Sequence, residues 1–215
     1  MLIPQAQLSY SQFAEDIVLK IFFYGKQKGF YVDVGCNHPK RLNNTYLLYQ
    51  RGWRGINIDG NSSLIKKYAG CRKKDINLVQ IISNEEGWVN FAVSTNSHVS
   101  TIDAGYKNAA GNNWEYPEDK SDRMYARTLN SVLKEHMPED AGGKIDLLCV
   151  DVEGHDLQVL KSIDLDFYQP AMIVVEMHDF SLDKAETYGI YRYLRQCNYS
   201  LKYFSVINGY FVRNE

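Results

Sequence analysis

One segment of the chain, residues 30–39, constrains the fold more than any other. It reads FYVDVGCNHP, an apolar β-type run that ends in an acid, a glycine and a turn. In an open α/β sheet the first strand delivers its carboxyl end to a crevice, where glycine lets the main chain approach a bound ligand. The segment therefore predicts a parallel sheet that opens onto a nucleotide-like ligand. No Gly-x-Gly-x-x-Gly motif begins at Gly35, so a pyrophosphate cradle of the NAD type is not predicted.

Composition places the chain among ordinary globular proteins. A length of 215 residues, with 45% hydrophobic and 23% charged residues, fits one α/β domain covering 1–215. The net charge of −2 gives no overall attraction for nucleic acid. The four cysteines show no Cys-x-x-Cys spacing, which argues against a zinc site. With no signal segment and no run of about 18 apolar residues, we expect a cytoplasmic protein that does not insert into membranes.

Apolar runs and turn residues alternate along the chain in a β/α order. Beyond the first strand, the runs predict strands at 54–59, 77–82, 88–93, 145–152, 172–176, 200–206 and 210–212. The intervening segments predict a first helix capped by Ser11 and later helices at about 46–49, 62–68, 128–133, 155–162 and 183–196. The dipeptide Asn208-Gly209 is typical of a tight hairpin turn between the last two strands.

The antiparallel finish decides between related fold classes. Five β/α units that end in a hairpin are typical of the S-adenosylmethionine-dependent methyltransferase sheet, whereas NAD-binding domains end in a parallel strand. The predicted fold is an α/β, Rossmann-like sandwich. Its mostly parallel, seven-stranded sheet ends in an antiparallel hairpin and carries helices on both faces.

A long polar stretch interrupts the β/α order at about 96–126. Loops of that length inside a compact domain tend to be functional or disordered, so we interpret it as an active-site loop or lid. Its aromatic residues could stack on a sugar face or pack the loop onto the domain, and the sequence leaves both readings open. They are Tyr106, Trp114, Tyr116 and Tyr125.

Polar residues follow each predicted parallel strand. In chain order they are Asp33 and Gly35, Asp59, Ser83 and Asn84, Asp151 and Glu153, and Glu176 and His178. Because the carboxyl ends of parallel strands meet at one edge, we expect these residues to face a single crevice. For each acid taken alone, a role in capping the following helix is an alternative.

These strand ends suit a ligand built from an amino acid, a ribose and an adenine. A carboxylate after the second strand can accept hydrogen bonds from both ribose hydroxyls, which is the role predicted for Asp59. The amino-acid portion is predicted to lie against Asp33 and the main chain of Gly35. Ser83 and Asn84 are predicted to meet the adenine edge.

The chain resembles the FkbM-type methyltransferases over nearly its whole length. The resemblance rests on the blocks YSQFAED (10–16), GFYVDVGCNHP (29–39), NTYLLY (44–49), RGWRGINID (51–59), STID (100–103) and IDLLCVDVEGHD (145–156). It implies binding of S-adenosylmethionine and methyl transfer to a hydroxyl, usually on a sugar or natural product. Within these blocks, Gln12, Glu15, Asn37 and Asp151 join the expected cofactor-binding residues. The chain has Ala14 where the family commonly has glycine and Cys36 where it commonly has alanine.

The acceptor hydroxyl needs a group that takes its proton. His155 is the first candidate base, because it follows the acids of the fourth parallel strand and could be oriented by Glu153 or Asp156. His178, beside Asp179, is the second. For each histidine, a surface or helix-capping role is the alternative.

A divalent cation is a competing way to activate the hydroxyl. The carboxylates Asp151, Glu153, Glu176 and Asp179 would suit Mg²⁺, with Asp151, Glu176 and Asp179 as the expected ligands. Asp151 and Glu153 are expected catalytic residues with or without a metal: replacing Asp151 by asparagine should remove activity in both cases, whereas a chelator should abolish it only if the cation is required.

Two other functions compete with the enzyme that the resemblance implies. One is a catalytically silent, methyltransferase-like binding module. The other is a nucleotide-sugar enzyme that grips a metal-diphosphate through residues 151–153, although the missing phosphate loop argues against it. The expected partner is a small-molecule or glycan acceptor, and the sequence carries no signal for an oligomeric state.

Overall fold

A computed structural model describes residues 7–94, 100–102 and 121–215. Its larger sheet contains, in spatial order, β3 (Ile76–Val79), β2 (Arg54–Asp59), β1 (Phe30–Val34), β8 (Leu147–Val150), β9 (Met172–Glu176), β11 (Asn208–Arg213) and β10 (Tyr199–Ser205). The strands from β3 to β9 run parallel, and β11 is antiparallel to both of its neighbours. The predicted seven-stranded sheet with an antiparallel hairpin is confirmed.

Helices cover both faces of this sheet. They are α1 (Glu15–Phe22), α2 (Tyr46–Gln50), α3 (Ser62–Cys71), α4 (Leu129–His136), α5 (Asp156–Lys161), α6 (Leu165–Tyr168) and α7 (Gly189–Gln196). Side chains alternate along β1, so Tyr31 packs with Leu19 of α1 while Val32 packs with Leu133 of α4. No helix in the described ranges is long and apolar enough to cross a membrane.

The predicted third strand is two strands in different sheets. β3 ends at Val79, and β4 (Ile81–Ile82) joins a smaller sheet with β7 (Ser121–Arg127), β5 (Gly87–Val93) and β6 (Ser100–Thr101). Gln80 lies between them: its main-chain N–H donates to the Asp59 main-chain carbonyl at 3.1 Å, and its side-chain amide donates to the Tyr125 carbonyl at 2.7 Å. The prediction of one continuous strand over 77–82 was wrong, because the chain changes sheets at Gln80.

Two parts of the predicted loop at about 96–126 are described by the structure, and both contain strand residues. Ser100 and Thr101 form β6, and residues 121–126 belong to β7. Tyr125 packs edge-on against Trp88 of β5, with their ring centroids 5.6 Å apart. The other aromatic residues singled out in the sequence, Tyr106, Trp114 and Tyr116, lie outside the described residues.

The hairpin turn lies two residues earlier than the sequence predicts. Ser205 pairs with Asn208, so Val206 and Ile207 form the turn and Gly209 lies in β11. The Asn208 amide donates to the buried Glu15 carboxylate at 2.8 Å. This long-range hydrogen bond places Asn208 in the strand despite its preference for turns.

Two helix boundaries also differ from the predictions. α1 begins at Glu15, with Ala14 in the left-handed region at φ 66°, and Ser11 is not its N-cap residue. The Ser11 hydroxyl still accepts a hydrogen bond from the Asp16 main chain at 3.2 Å. The helix predicted at 183–196 is a 3-10 turn at Leu182–Thr187 followed by α7.

Candidate active site

A cavity lies at the carboxyl ends of β1, β2 and β8. Its empty volume is about 610 Å³, part of which is open to solvent. Its polar lining in the described chain comes from Gly35, Asn37, Asp59, Gly60, Gln80, Ser100, Thr101, Asp151, Glu153 and His155. Its apolar lining comes from Val34, Ile58, Leu64, Ile81, Ile82, Phe91, Ile102 and Val152.

Gly35 forms the tight turn that ends β1. Its φ is 79°, and a Cβ at this position would lie 1.7 Å from the Asp151 carbonyl oxygen. The Gly35 N–H donates to the Ile58 carbonyl of β2 at 2.8 Å. The structure requires glycine here because the turn after β1 contacts the main chain of the turn after β8. The predicted approach of this turn to a ligand stays a prediction.

Asp59 is the carboxylate at the end of β2, where the sequence predicts it. One oxygen accepts from the Asn37 N–H at 3.0 Å, and the other accepts from the Asn61 N–H at 2.7 Å. Burial raises the pKa of Asp59 to about 6, although both hydrogen bonds lower it. The carboxylate is thus fixed in direction at the cavity wall.

Asp33 does not line the cavity. Side chains alternate along a strand, so Val34 faces the cavity and Asp33 lies on the same side of β1 as Tyr31. The buried Asp33 carboxylate accepts a hydrogen bond from the Thr45 hydroxyl at 2.8 Å, and burial raises its pKa to about 6. Its placement does not support the predicted contact with the amino-acid portion of a ligand.

The two residues assigned from the first sequence block also lie away from the described cavity lining. Gln12 is exposed. Glu15 is fully buried, and its carboxylate accepts from the Phe13 main chain at 2.8 Å and from Asn208. These contacts join the amino-terminal segment to β11. Glu15 therefore stabilises the fold at this point and does not face the described cavity.

The residues predicted to meet the adenine edge do not line the described cavity, and residues just before them in the chain do. Ser83 and Asn84 are absent from the described lining, whereas Gln80, Ile81 and Ile82 belong to it. Sequence reasoning missed these three residues because it treated 77–82 as one strand of the main sheet. Phe91 of β5 was missed for the same reason, since it reaches the cavity from the smaller sheet.

The two candidate bases differ in position. His155 lines the cavity just before α5, and its Nε2 lies 3.0 Å from the Ser83 hydroxyl. His178 is 46% exposed, lies outside the described lining and contacts the Glu176 carboxylate at 3.0 Å. Of the two candidate bases, His155 belongs to the described cavity lining and His178 does not.

An acidic group lies between β8 and β9. One oxygen of Asp151, Oδ1, is buried, and the Asp151 carboxyl lies within hydrogen-bond reach of the Glu176 carboxyl. Burial, reinforced by the charge on Glu176, raises the pKa of Asp151 well above its usual value. Burial also raises the pKa of Glu176 to about 9, with further contributions from Glu153 and Asp156. Such shifts mark candidate functional sites.

The residues whose ligand atoms converge in the described chain differ from the predicted metal ligands. In the described chain, Glu153, Glu176 and His178 each offer a ligand atom within 4.8 Å of the others. Asp179 is exposed and, like Asp151, lies outside that group. The prediction of Asp151 and Asp179 as ligands beside Glu176 is not supported, because the turn after β9 directs His178 toward Glu176 instead.

Comparison with known protein families agrees with this architecture. The family model of the methyltransferase FkbM domain matches residues 33–201. The chain belongs to this family. Its mostly parallel sheet with the antiparallel hairpin is consistent with the methyltransferase fold. No curated protein matches the chain.

The family match covers the strands that form the cavity of this FkbM-domain protein. It includes the turns after β1, β2 and β8, and it extends through both sheets as far as β10. The amino-terminal block with Gln12 and Glu15 precedes the matched region.

Proposed function

We propose that this FkbM-domain protein transfers a methyl group from S-adenosylmethionine to a hydroxyl oxygen, on a sugar or glycan. The observation that carries the proposal is the arrangement of the cavity. Asp59 lies at the end of β2 on one side, and Asp151 and Glu153 follow β8 on the other. A cationic group bound beside the acids after β8 would favour their ionised form, while Asp59 can accept hydrogen bonds from ribose hydroxyls.

The residues present fit the cofactor. Gly35 and Asn37 of the turn after β1 line the cavity, so the main chain of this turn can face the amino-acid portion. The apolar side chains of Leu64, Ile81 and Phe91 form the part of the lining suited to adenine. When bound, S-adenosylmethionine supplies a methyl group activated by the positive charge on its sulfur.

Proton transfer is assigned to His155. Methyl transfer to an alcohol needs an aligned hydroxyl that is shielded from water and a base within hydrogen-bond reach. His155 lies in the cavity wall and is oriented by the Ser83 hydroxyl, 3.0 Å from Nε2. We propose that His155 accepts the hydroxyl proton, while apolar residues such as Val152 and Ile102 limit access of water.

A divalent cation is the second way to activate the hydroxyl. Glu153, Glu176 and His178 would hold it, because carboxylate oxygens and an imidazole nitrogen converge there. Calorimetry with Mg²⁺ or Mn²⁺ alone tests binding directly, using Glu176→Gln as the comparison. A chelator that leaves methyl transfer unchanged would assign the proton to His155 without a metal.

Ligand binding tests the proposed function first. A thermal-shift panel compares S-adenosylmethionine, NAD and a UDP-sugar, since only a true ligand stabilises the folded state by mass action. Calorimetry with S-adenosylhomocysteine then gives the affinity. We expect stabilisation by S-adenosylmethionine alone, and stabilisation by the UDP-sugar alone would favour a nucleotide-sugar enzyme.

A labelled methyl donor identifies the acceptor. Incubation with sugars, glycans and glycosylated natural products should give a labelled, base-stable methyl ether. If the cofactor binds and no hydroxyl compound becomes labelled, the protein is better described as a methyltransferase-like binding module.

A further inference from the structure

A fully buried arginine lies beneath the turn that follows β1. Arg72 immediately follows α3, and its side chain is ion-paired with the equally buried Asp75 at 2.8 Å. The ion pair is made by Nε of Arg72, and the terminal nitrogen Nη2 donates to the Tyr31 hydroxyl at 2.6 Å and to the Thr45 hydroxyl at 3.0 Å. Burying an ion pair is costly, so its presence alone is weak support for a role in stability.

This network reaches the loop of residues 36–45, which connects β1 to α2. Arg72 donates to the Pro39 carbonyl at 3.2 Å and to the Asn43 side-chain oxygen at 3.3 Å. The Asn43 amide in turn donates to the Cys36 carbonyl at 3.0 Å, and the Tyr68 hydroxyl donates to the same carbonyl at 2.7 Å. Two buried donors therefore hold one carbonyl of the loop.

The Cys36 carbonyl belongs to the same peptide unit as the Asn37 N–H. Because a peptide unit is planar, fixing the direction of its C=O also fixes the direction of its N–H. That N–H donates to the Asp59 carboxylate at 3.0 Å. One side of this peptide thus faces Tyr68 and Asn43, and the other faces the cavity wall.

We propose that Tyr68, Asn43 and Arg72 are positioning residues for the ligand site. They orient the Cys36–Asn37 peptide, which in turn directs the Asp59 carboxylate at the cavity. This inference rests on the proposed function, in which Asp59 accepts hydrogen bonds from the cofactor ribose. None of the three positioning residues belongs to the described cavity lining.

Tyrosine-to-phenylalanine variants test the inference with little disturbance of packing. Tyr68→Phe removes the hydroxyl that donates to Cys36. Tyr199→Phe is the matched control, because Tyr199 is equally buried and its hydroxyl donates to the Pro170 carbonyl at 2.9 Å, outside the network. Tyr68→Phe loses the bond donated to Cys36 and a longer one accepted from the Asn43 amide at 3.3 Å, whereas Tyr199→Phe loses one bond, so the stability loss of Tyr68→Phe should be equal or larger.

The two variants should differ in ligand affinity. Calorimetry with S-adenosylhomocysteine is expected to give a Kd about three- to tenfold higher for Tyr68→Phe, the equivalent of one hydrogen bond, and an unchanged Kd for Tyr199→Phe. With an acceptor in hand, the KM for S-adenosylmethionine should rise in Tyr68→Phe while kcat stays within twofold. A loss of stability without a change in Kd or KM would overturn the inference.

Amide hydrogen exchange gives a readout that needs no ligand. The Asn37 N–H should exchange several-fold faster in Tyr68→Phe than in Tyr199→Phe, and the amides of β9, which report global stability, should differ between the two variants only by their difference in stability. If the wild type binds no S-adenosylhomocysteine, the proposed function fails, and Asn37 exchange alone then decides whether the peptide is held as inferred. Unchanged Asn37 exchange in Tyr68→Phe would refute the positioning role.

Discussion

The Asp151 carbonyl oxygen occupies the space that a side chain at Gly35 would need. A Cβ there would lie 1.7 Å from this oxygen, far closer than any real contact. The turns after β1 and β8 can therefore meet only if residue 35 is glycine. This contact joins the two strand ends that contribute Asn37 and Glu153 to the cavity.

Gly35→Ala should disrupt both stability and ligand binding. Gly25→Ala is the control, because Gly25 also has a positive φ, 86°, but has no atom within 4 Å of an added Cβ. The control should lose about 1–2 kcal/mol for the left-handed backbone alone. Urea unfolding should show a larger loss for Gly35→Ala, and calorimetry should show no binding of S-adenosylhomocysteine. Equal losses in the two variants would mean that the contact with Asp151 relaxes easily.

Ala14→Gly should stabilise the protein. Ala14 precedes α1 with a φ of 66°, where glycine has no Cβ penalty and where the resembled family commonly has glycine. The expected gain is about 1 kcal/mol in the free energy of unfolding. Ala69→Gly, on the exposed side of α3, should instead cost about 0.5–1 kcal/mol. Thermal unfolding of both variants checks the opposite signs.

Asp59→Asn should weaken cofactor binding without unfolding the protein. The neutral amide avoids the cost of burying a charge and can still accept one of the two main-chain hydrogen bonds. Losing charge-assisted bonds to the ribose should raise the Kd for S-adenosylhomocysteine about 10- to 100-fold. The 2′-deoxy analogue should bind the wild type less tightly and should lose less on substitution. Equal losses for both ligands would place the ribose elsewhere.

Alkaline pH should destabilise the protein through Glu176. Its folded-state pKa, about 9, lies above the ordinary value of 4.5, so the stabilisation is complete below pH 4.5 and is lost as pH rises through 9. The groups facing this carboxyl are Asp151, Glu153, Asp156 and His178. The melting temperature of the wild type should therefore fall between pH 7 and 9.5.

Glu176→Gln should flatten that pH dependence, because the amide resembles the protonated acid and does not titrate. Glu86→Gln is the control: Glu86 is exposed, and hydrogen bonding lowers its pKa, so it stays ionised throughout this range. A Glu176→Gln curve parallel to that of the wild type would show that another group is responsible.

His155→Gln should lower kcat more than it lowers cofactor affinity. Removing a general base typically costs about 10²- to 10⁴-fold in rate, whereas glutamine can keep a hydrogen bond to Ser83. Methyl transfer to the identified acceptor and calorimetry with S-adenosylhomocysteine measure the two effects. His178→Gln is the comparison, since His178 lies outside the described lining, and its kcat should change less than tenfold.

The sequence determined the features that depend on local pattern and on order along the chain. Continuous apolar runs gave β8 and β9, the β/α alternation gave a parallel sheet, and the last two strands gave the antiparallel finish. Gly35 directly follows β1, and Asp59 is the last residue of β2. Both were placed correctly because the apolar pattern fixes the positions of these two strands.

Contacts between distant parts of the chain decided the rest. Asn208 pairs in β11 because it bonds to Glu15, far away in the sequence, and this overrides its preference for turns. The chain leaves the main sheet at Gln80 because a second sheet forms with β5 and β7, which brings Phe91 to the cavity.

The direction of each polar side chain at the site was also determined by the tertiary structure. Asp33 and Asp59 both occur at strand ends, yet only Asp59 lines the cavity, because the pleat of β1 turns Asp33 toward Thr45. Local sequence determines where strands and turns occur. Which face a residue occupies, and which buried donors it meets there, depends on how the whole chain packs, since burial and hydrogen bonding are set by atoms far away in the sequence.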